Sequence, residues 1–163
     1  MPVRFSDTRI VPKQNLITEK KVLTFYVGTQ GNFDALVYRA LCCIRADYHQ
    51  IRIYRVLEYM PKDNCLIPDS ILPEGVELVY PRYAFSWRNR WMINHSDYVI
   101  AYITRNYGDA ARFVNEAKRK RKTVISLWNI RLYRSSDAIT ISILYIFTNN
   151  NWKYTLRCLI ISP

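Results

Sequence analysis

Two glycines and a carboxylate fall within the segment Gly28-Thr29-Gln30-Gly31-Asn32-Phe33-Asp34, which joins an apolar run to a stretch of helical periodicity. Glycines at such a junction let the backbone turn tightly and approach a ligand. The free N–H groups of the following helix can then bind an anion. A plain strand-to-helix turn would use the same glycines. The loop matches neither G-x-G-x-x-G nor the Walker P-loop.

Other chemistry-bearing residues point less directly to a site. Lys118-Arg119-Lys120-Arg121-Lys122 is the densest basic run, and it either solvates a helix end or touches nucleic acid. Tyr80-Pro81-Arg82-Tyr83 and Trp87-Arg88-Asn89-Arg90-Trp91 interleave aromatic and basic residues, as single-strand binding surfaces do. His49 and His95 have no Cys, Asp or Glu at ligand spacing, so no metal site is expected. Glu58 could accept from a ribose hydroxyl or simply end a strand. Asp69, Glu74 and Glu77 form no recognisable acid–base pair, and no G-x-S-x-G context supports a hydrolase triad.

The elements that hold these residues can be read from periodicity. Val22–Val27 reads as a buried strand. Phe33, Leu36, Val37, Ala40, Leu41 and Ile44 form the stripe of an amphipathic helix, with Asn32 placed to cap it and Asp34 favourably charged in its first turn. Ile51–Tyr59 alternates as a second strand. Pro61, Pro68, Pro73, Gly75 and Pro81 then mark a long loop. Tyr83–Asn94 is read as a helix, Tyr98–Ile103 as a strand, Asp109–Arg121 as a helix and Thr123–Leu127 as a strand. This succession predicts a parallel sheet with helices on both faces, in spatial order 2-1-3-4. Ligands bind such sheets outside the carboxyl ends of the strands where the winding reverses, and Gly28–Asn32 and Thr104–Gly108 are delivered there. Beyond residue 127, alternation at Ile139–Phe147 and Trp152–Ile160 around Asn149-Asn150-Asn151 reads as a β-hairpin. That hairpin would cap the sheet edge or pair with a second copy.

Composition sets the outer limits. The chain has 163 residues, half of them hydrophobic, which suits one domain with its own core. Twenty-four Lys and Arg against 13 Asp and Glu give a net charge of +11, a field that attracts anions without selecting among them. No apolar run is long enough to span a bilayer or to form a secretory signal near the start. Cys42, Cys43, Cys65 and Cys158 make no C-x-x-C pair and read as reduced thiols, so a cytoplasmic protein is expected.

Three blocks together resemble the YpsA-like branch of the SLOG (SMF/DprA–LOG) superfamily. They are Phe25–Asp34, then Arg82–Phe85 with Arg88–Ile93 and Ser96–Ile100, then Tyr107–Val114, and they span Val22–Leu127 in the family's order. The resemblance implies a Rossmann-like three-layer fold and a nucleotide-type ligand across the carboxyl ends of the strands. It places Gly28, Thr29, Gly31 and Asn32, with Gln30 and Phe33 beside them, at the phosphate end. Arg88, Asn89 and Met92 would face the pocket, Arg88 and Met92 from one helical face, and Gly108, Asp109 and Ala110 would form its second wall. Arg88 could clamp a phosphate through two parallel hydrogen bonds.

The chain departs from the family in two ways. Asp109 stands where the group shows a second glycine. The P-G-G-x-G-T-x-x-E signature of its phosphoribohydrolases is absent, and Glu116 lies two turns into the helix. The expectation is therefore a module that binds or senses a nucleotide-derived, phosphate-bearing ligand, more in keeping with binding than with catalysis. The alternatives are DprA-like binding of single-stranded nucleic acid through Lys118–Lys122, or an N-glycosidic phosphoribohydrolase. The expected organisation is an N-terminal extension (1–21), the nucleotide-site domain (22–127) and a divergent tail (128–163).

Overall fold

The computed structural model describes residues 16–17, 19–62, 67–103 and 106–126, together with the backbone of 156–161. Six strands form one sheet: β1 (Val22–Val27), β2 (Arg52–Val56), β3 (Ser70–Ile71), β4 (Tyr98–Ala101), β5 (Thr123–Ser126) and β6 (Leu156–Ile161). Three helices accompany them: α1 (Gly31–Asp47), α2 (Pro81–Asn94) and α3 (Asp109–Arg119). Every strand pairing among the described residues is parallel, so the protein is of the α/β class. Parallel neighbours need crossovers, and α1 supplies the one from β1 to β2 and α3 the one from β4 to β5.

Side-chain alternation along the strands sorts the core into two layers. Phe25, Val27, Ile53, Ile100 and Ile125 pack with Val37, Ala40, Leu41 and Ile44 of α1. Tyr26, Val56 and Val99 turn to the other face and meet Met92 and Ile93 of α2 and Phe113 and Ala117 of α3. Each large side chain buried this way contributes roughly 1.5–3 kcal/mol relative to exposure. Leu16 and Ile17 are buried in the α1 layer, and the Val22 N–H donates to Leu16 O at 2.8 Å. The packed domain therefore reaches back into the stretch expected as an extension.

The strand order β3-β2-β1-β6-β4-β5 corrects the expected sheet at two places. The expected order 2-1-3-4 survives as β2-β1-β4-β5, but β6 lies between β1 and β4 and is parallel to both. The tail therefore ends in a central strand and not in a hairpin arm at the sheet edge. A strand with parallel neighbours on both sides has no free flank for a hairpin partner. The other arm, Ile139–Phe147, lies outside the described residues. The proline-rich loop, in turn, holds the short edge strand β3 and a 3₁₀ turn at Val76–Leu78.

This insertion matters for the site. Val27 is level with Ile160 and Ala101 with Ile161, so the end of β6 stands between the loops that follow β1 and β4. Those loops are two strand spacings apart, about 9.5 Å. No helix of the described residues is long and apolar enough to cross a membrane.

Candidate functional site

The glycine loop leaves the carboxyl end of β1 and turns directly into α1. Helix α1 begins at Gly31, whose φ of +87° suits glycine, and Gln30 is its N-cap. Asn32 was expected to cap this helix and does not, because it already lies inside the first turn. Asp34 takes over that task from within the helix: its Oδ2 accepts from the Gln30 N–H at 2.9 Å. The first-turn amides of Gly31, Asn32 and Phe33 have no protein acceptor among the described residues. Such amides need water or a ligand. A Cβ on Gly31 would meet nothing within 4 Å, so the space above the turn is open.

Gly28 serves a different purpose. A Cβ there would overlap the Asp34 carboxylate and come within 3.2 Å of Arg88 Nη1. The missing side chain admits these two groups, not a ligand. Beneath the loop they join Glu58 and Thr29 in a buried polar cluster. Arg88 is 2% exposed, Glu58 5% and Asp34 4%. Thr29 Oγ1 donates to Glu58 Oε2 at 2.9 Å, and Arg88 Nη1 reaches Thr29 Oγ1 at 3.4 Å and Val56 O at 3.5 Å. Arg88 Nε donates to Asn89 Oδ1 at 3.1 Å, and its guanidinium lies 4.9 Å from the Phe85 ring centre. Nη1 stands 2.8 Å from Glu58 Oε1, yet that oxygen has no hydrogen-bond donor among the described residues, so the contact is one of charge alone.

Arg88 is therefore brought to the glycine loop, as the sequence led one to expect, but not as a phosphate clamp. Its charge already faces two carboxylates, Glu58 and Asp34. Burial lowers its pKa, and the neighbouring Glu58 and Asp34 charges oppose that shift. Asn89 is buried as the acceptor for Arg88, and Met92 is core between α2 and α3. Neither lines the cleft beside the glycine loop.

The opening beside the loop is a cleft of about 360 Å³ lined by Gly28, Thr29, Gly31, Asp34, Ala35, Tyr38, Arg39 and Arg55. Of the residues expected at the phosphate end, Gly28, Thr29 and Gly31 line it. Gln30 and Asn32 are exposed at the turn outside that lining, and Phe33 stacks on Tyr102 at 5.8 Å. Gly108, Asp109 and Ala110, expected as the second wall, do not line this cleft. Gly108 and Asp109 are exposed, Asp109 pairs with Arg112 at 3.0 Å, and Ala110 packs into the α2–α3 core.

Tyr38, Arg39 and Arg55 were not singled out from sequence. A usable signal existed at Arg55, a charged residue in the helix-facing slot of an alternating strand, between Ile53 and Leu57. The Arg55 guanidinium lies 4.9 Å from the Tyr38 ring centre. The Tyr38 hydroxyl donates to Asp69 Oδ2 at 2.9 Å, and Arg45 pairs with the same oxygen at 2.9 Å. Burial and then the Asp69 bond push the Tyr38 phenol up to about 12, and the same Asp69 bond raises Arg45. Neither Arg39 nor Arg55 has a carboxylate partner among the described residues.

The basic run lies elsewhere. Lys118–Lys122 ends α3 at the amino edge of the sheet. Lys120 bonds the Asn94 side chain and pairs with Glu116, and Lys122 reaches Asn94 O. The exposed Tyr80 (74%) and Tyr83 sit at the start of α2, at the opposite edge. The fourteen residues of α2 put about 21 Å between the aromatic and basic halves of any single-strand surface. His95 is the C-cap of α2 and stacks on Trp91 at 4.0 Å. Cys42 and Cys43 are free thiols. No group of three or more His, Cys, Asp or Glu among the described residues could hold a metal ion.

No family model, no curated protein and no solved structure matches this chain.

Proposed function

We propose that this protein binds or senses a nucleotide-derived, phosphate-bearing ligand in the cleft beside the glycine loop of a Rossmann-like domain, in keeping with the resemblance of its three blocks to the SLOG superfamily. The observation that carries the reading is the composition of the cleft's walls. Gly31, at the open first turn of α1, lines the cleft beside Asp34, together with two arginines that have no acidic partner among the described residues. Amides at a helix start and planar guanidinium forks are the two protein groups best suited to phosphate oxygens.

The phosphate seat moves relative to the sequence-based expectation. The Arg88 guanidinium already faces Glu58 and Asp34, so its charge is engaged within the protein. Arg39 and Arg55, which line the cleft, draw the anion towards them. Arg88 shapes the loop and does not touch the ligand. No catalytic step is assigned to any residue.

A thermal-shift series with adenine nucleotides, NAD and ADP-ribose derivatives on the full chain tests the reading. Stabilisation that grows with ligand concentration is expected. A folded protein indifferent to every one of these compounds would overturn it.

A further inference from the structure

The geometry points to a ligand that carries two phosphoryl groups on one mononucleotide-sized body, the first at the Gly31–Phe33 amides and the second between Arg39 and Arg55. This rests on the nucleotide reading above and adds the number of anionic groups and the residues that hold the second.

The case begins with two cations that share one cavity and pair with no carboxylate among the described residues. Arg39 and Arg55 both line the cleft, where like charges repel unless a counter-charge lies between them. Asp34 lines the same cleft, but its carboxylate accepts from the Gln30 N–H and faces Arg88. Asp69 does not supply the counter-charge either. Its carbonyl accepts the Arg55 N–H at 2.6 Å, but its carboxylate is directed at the Tyr38 hydroxyl and Arg45. Arg55 is also held in place. Its guanidinium stacks on Tyr38, a ring fixed in turn by its bond to Asp69, so little freedom is lost when an oxyanion docks.

Spacing then separates the two seats. Gly31 and Arg39 are eight residues apart on α1, which is about 12 Å along the helix axis. Side chains on a helix lean towards its start, so Arg39 reaches part of the way back towards the loop. One phosphate cannot fill both seats, whereas a nucleoside phosphorylated twice can span them. A cleft of about 360 Å³ is at the small end for ligand sites and suits a mononucleotide, not a dinucleotide.

Isothermal titration of the full chain with adenosine 5′-monophosphate, adenosine diphosphate and adenosine 3′,5′-bisphosphate tests this. One of the doubly phosphorylated compounds is expected to bind about ten- to a hundredfold tighter than the monophosphate. The diphosphate and the bisphosphate arms distinguish linked from separated groups. The advantage should vanish in Arg55→Gln and in Arg39→Gln, while monophosphate affinity changes less. Arg39 is exposed on α1, so its variant keeps the fold even if the strand variant is weakened. Equal affinity for all three compounds, or an advantage retained in both variants, would overturn the second seat and leave the nucleotide reading intact. Binding of none of them would overturn both.

Discussion

Arg88 Nη1 stands 2.8 Å from Glu58 Oε1 at the base of the glycine loop, with both residues almost fully buried. Asp34 adds a second carboxylate facing the same guanidinium, so among the described residues Arg88 serves two acidic groups and Glu58 only one cation. The two members of the pair should therefore respond unequally to mutation. Arg88→Met removes the cation that both carboxylates face and should cost about 3–5 kcal/mol. Glu58→Gln leaves Arg88 facing Asp34, keeps an acceptor for Thr29, and should cost about 1 kcal/mol or less. Urea midpoints of the two variants measure this. Equal losses would show that the attraction between Asp34 and Arg88 is not felt.

The two glycines of the loop should also separate. Gly28→Ala drives a methyl into the Asp34 carboxylate, an overpacking that costs about 1–3 kcal/mol. Gly31→Ala meets no atom and bears only the strain of a left-handed backbone, about 1–2 kcal/mol. Gly31→Val, whose branched side chain would stand in the open space above the turn, should keep the fold and lose any nucleotide-induced stabilisation. A Gly31→Val protein that still gained stability from nucleotide would place the ligand away from the turn.

How far these positions were legible in the sequence depends on how local their causes are. The β1–loop–α1 unit was readable because six apolar positions at helical spacing follow directly on a glycine-closed apolar run. Arg88 and Glu58 are thirty residues apart across the proline-rich stretch, so their pairing left no local trace. The tail misled because Trp152, Tyr154, Leu156, Cys158 and Ile160 alternate. The run Cys158-Leu159-Ile160-Ile161 is nevertheless continuous, as suits a strand covered on both faces. Alternation alone suggests a hairpin at the sheet edge or against a second copy, whereas continuity suits a strand inside a parallel sheet.

Tyr38 gives the domain a signature at high pH. Its phenol is pushed up to about 12 from 10.0, by burial first and by its bond to Asp69 next. Between those values the unfolded chain releases a proton that the folded chain keeps. The stability this group contributes is therefore complete below pH 10 and is lost as pH rises towards 12. Denaturation midpoints should fall more steeply for the wild type than for Tyr38→Phe when pH is raised from about 9 to about 11. Parallel slopes for the two proteins would contradict the assignment.

The basic run should be silent at the cleft. Replacing Lys118, Arg119 and Arg121 together by Gln alters the amino edge of the sheet and should leave nucleotide affinity unchanged. Lys120→Ala, which removes the contacts to Glu116 and Asn94, should lower stability by up to about 1 kcal/mol without affecting binding. Titration calorimetry paired with urea melts checks both. A loss of nucleotide affinity in the triple variant would connect the two edges.

The backbone amides of the first turn of α1 offer the most direct measurement. In an amide NMR titration of the full chain with adenosine 5′-monophosphate, the signals of Gly31, Asn32 and Phe33 should move together and saturate. Those of Lys120 and Arg121, at the far edge of the sheet, should stay fixed. Saturable movement confined to residues outside the cleft, with the first-turn amides unmoved, would contradict a phosphate seat at this loop.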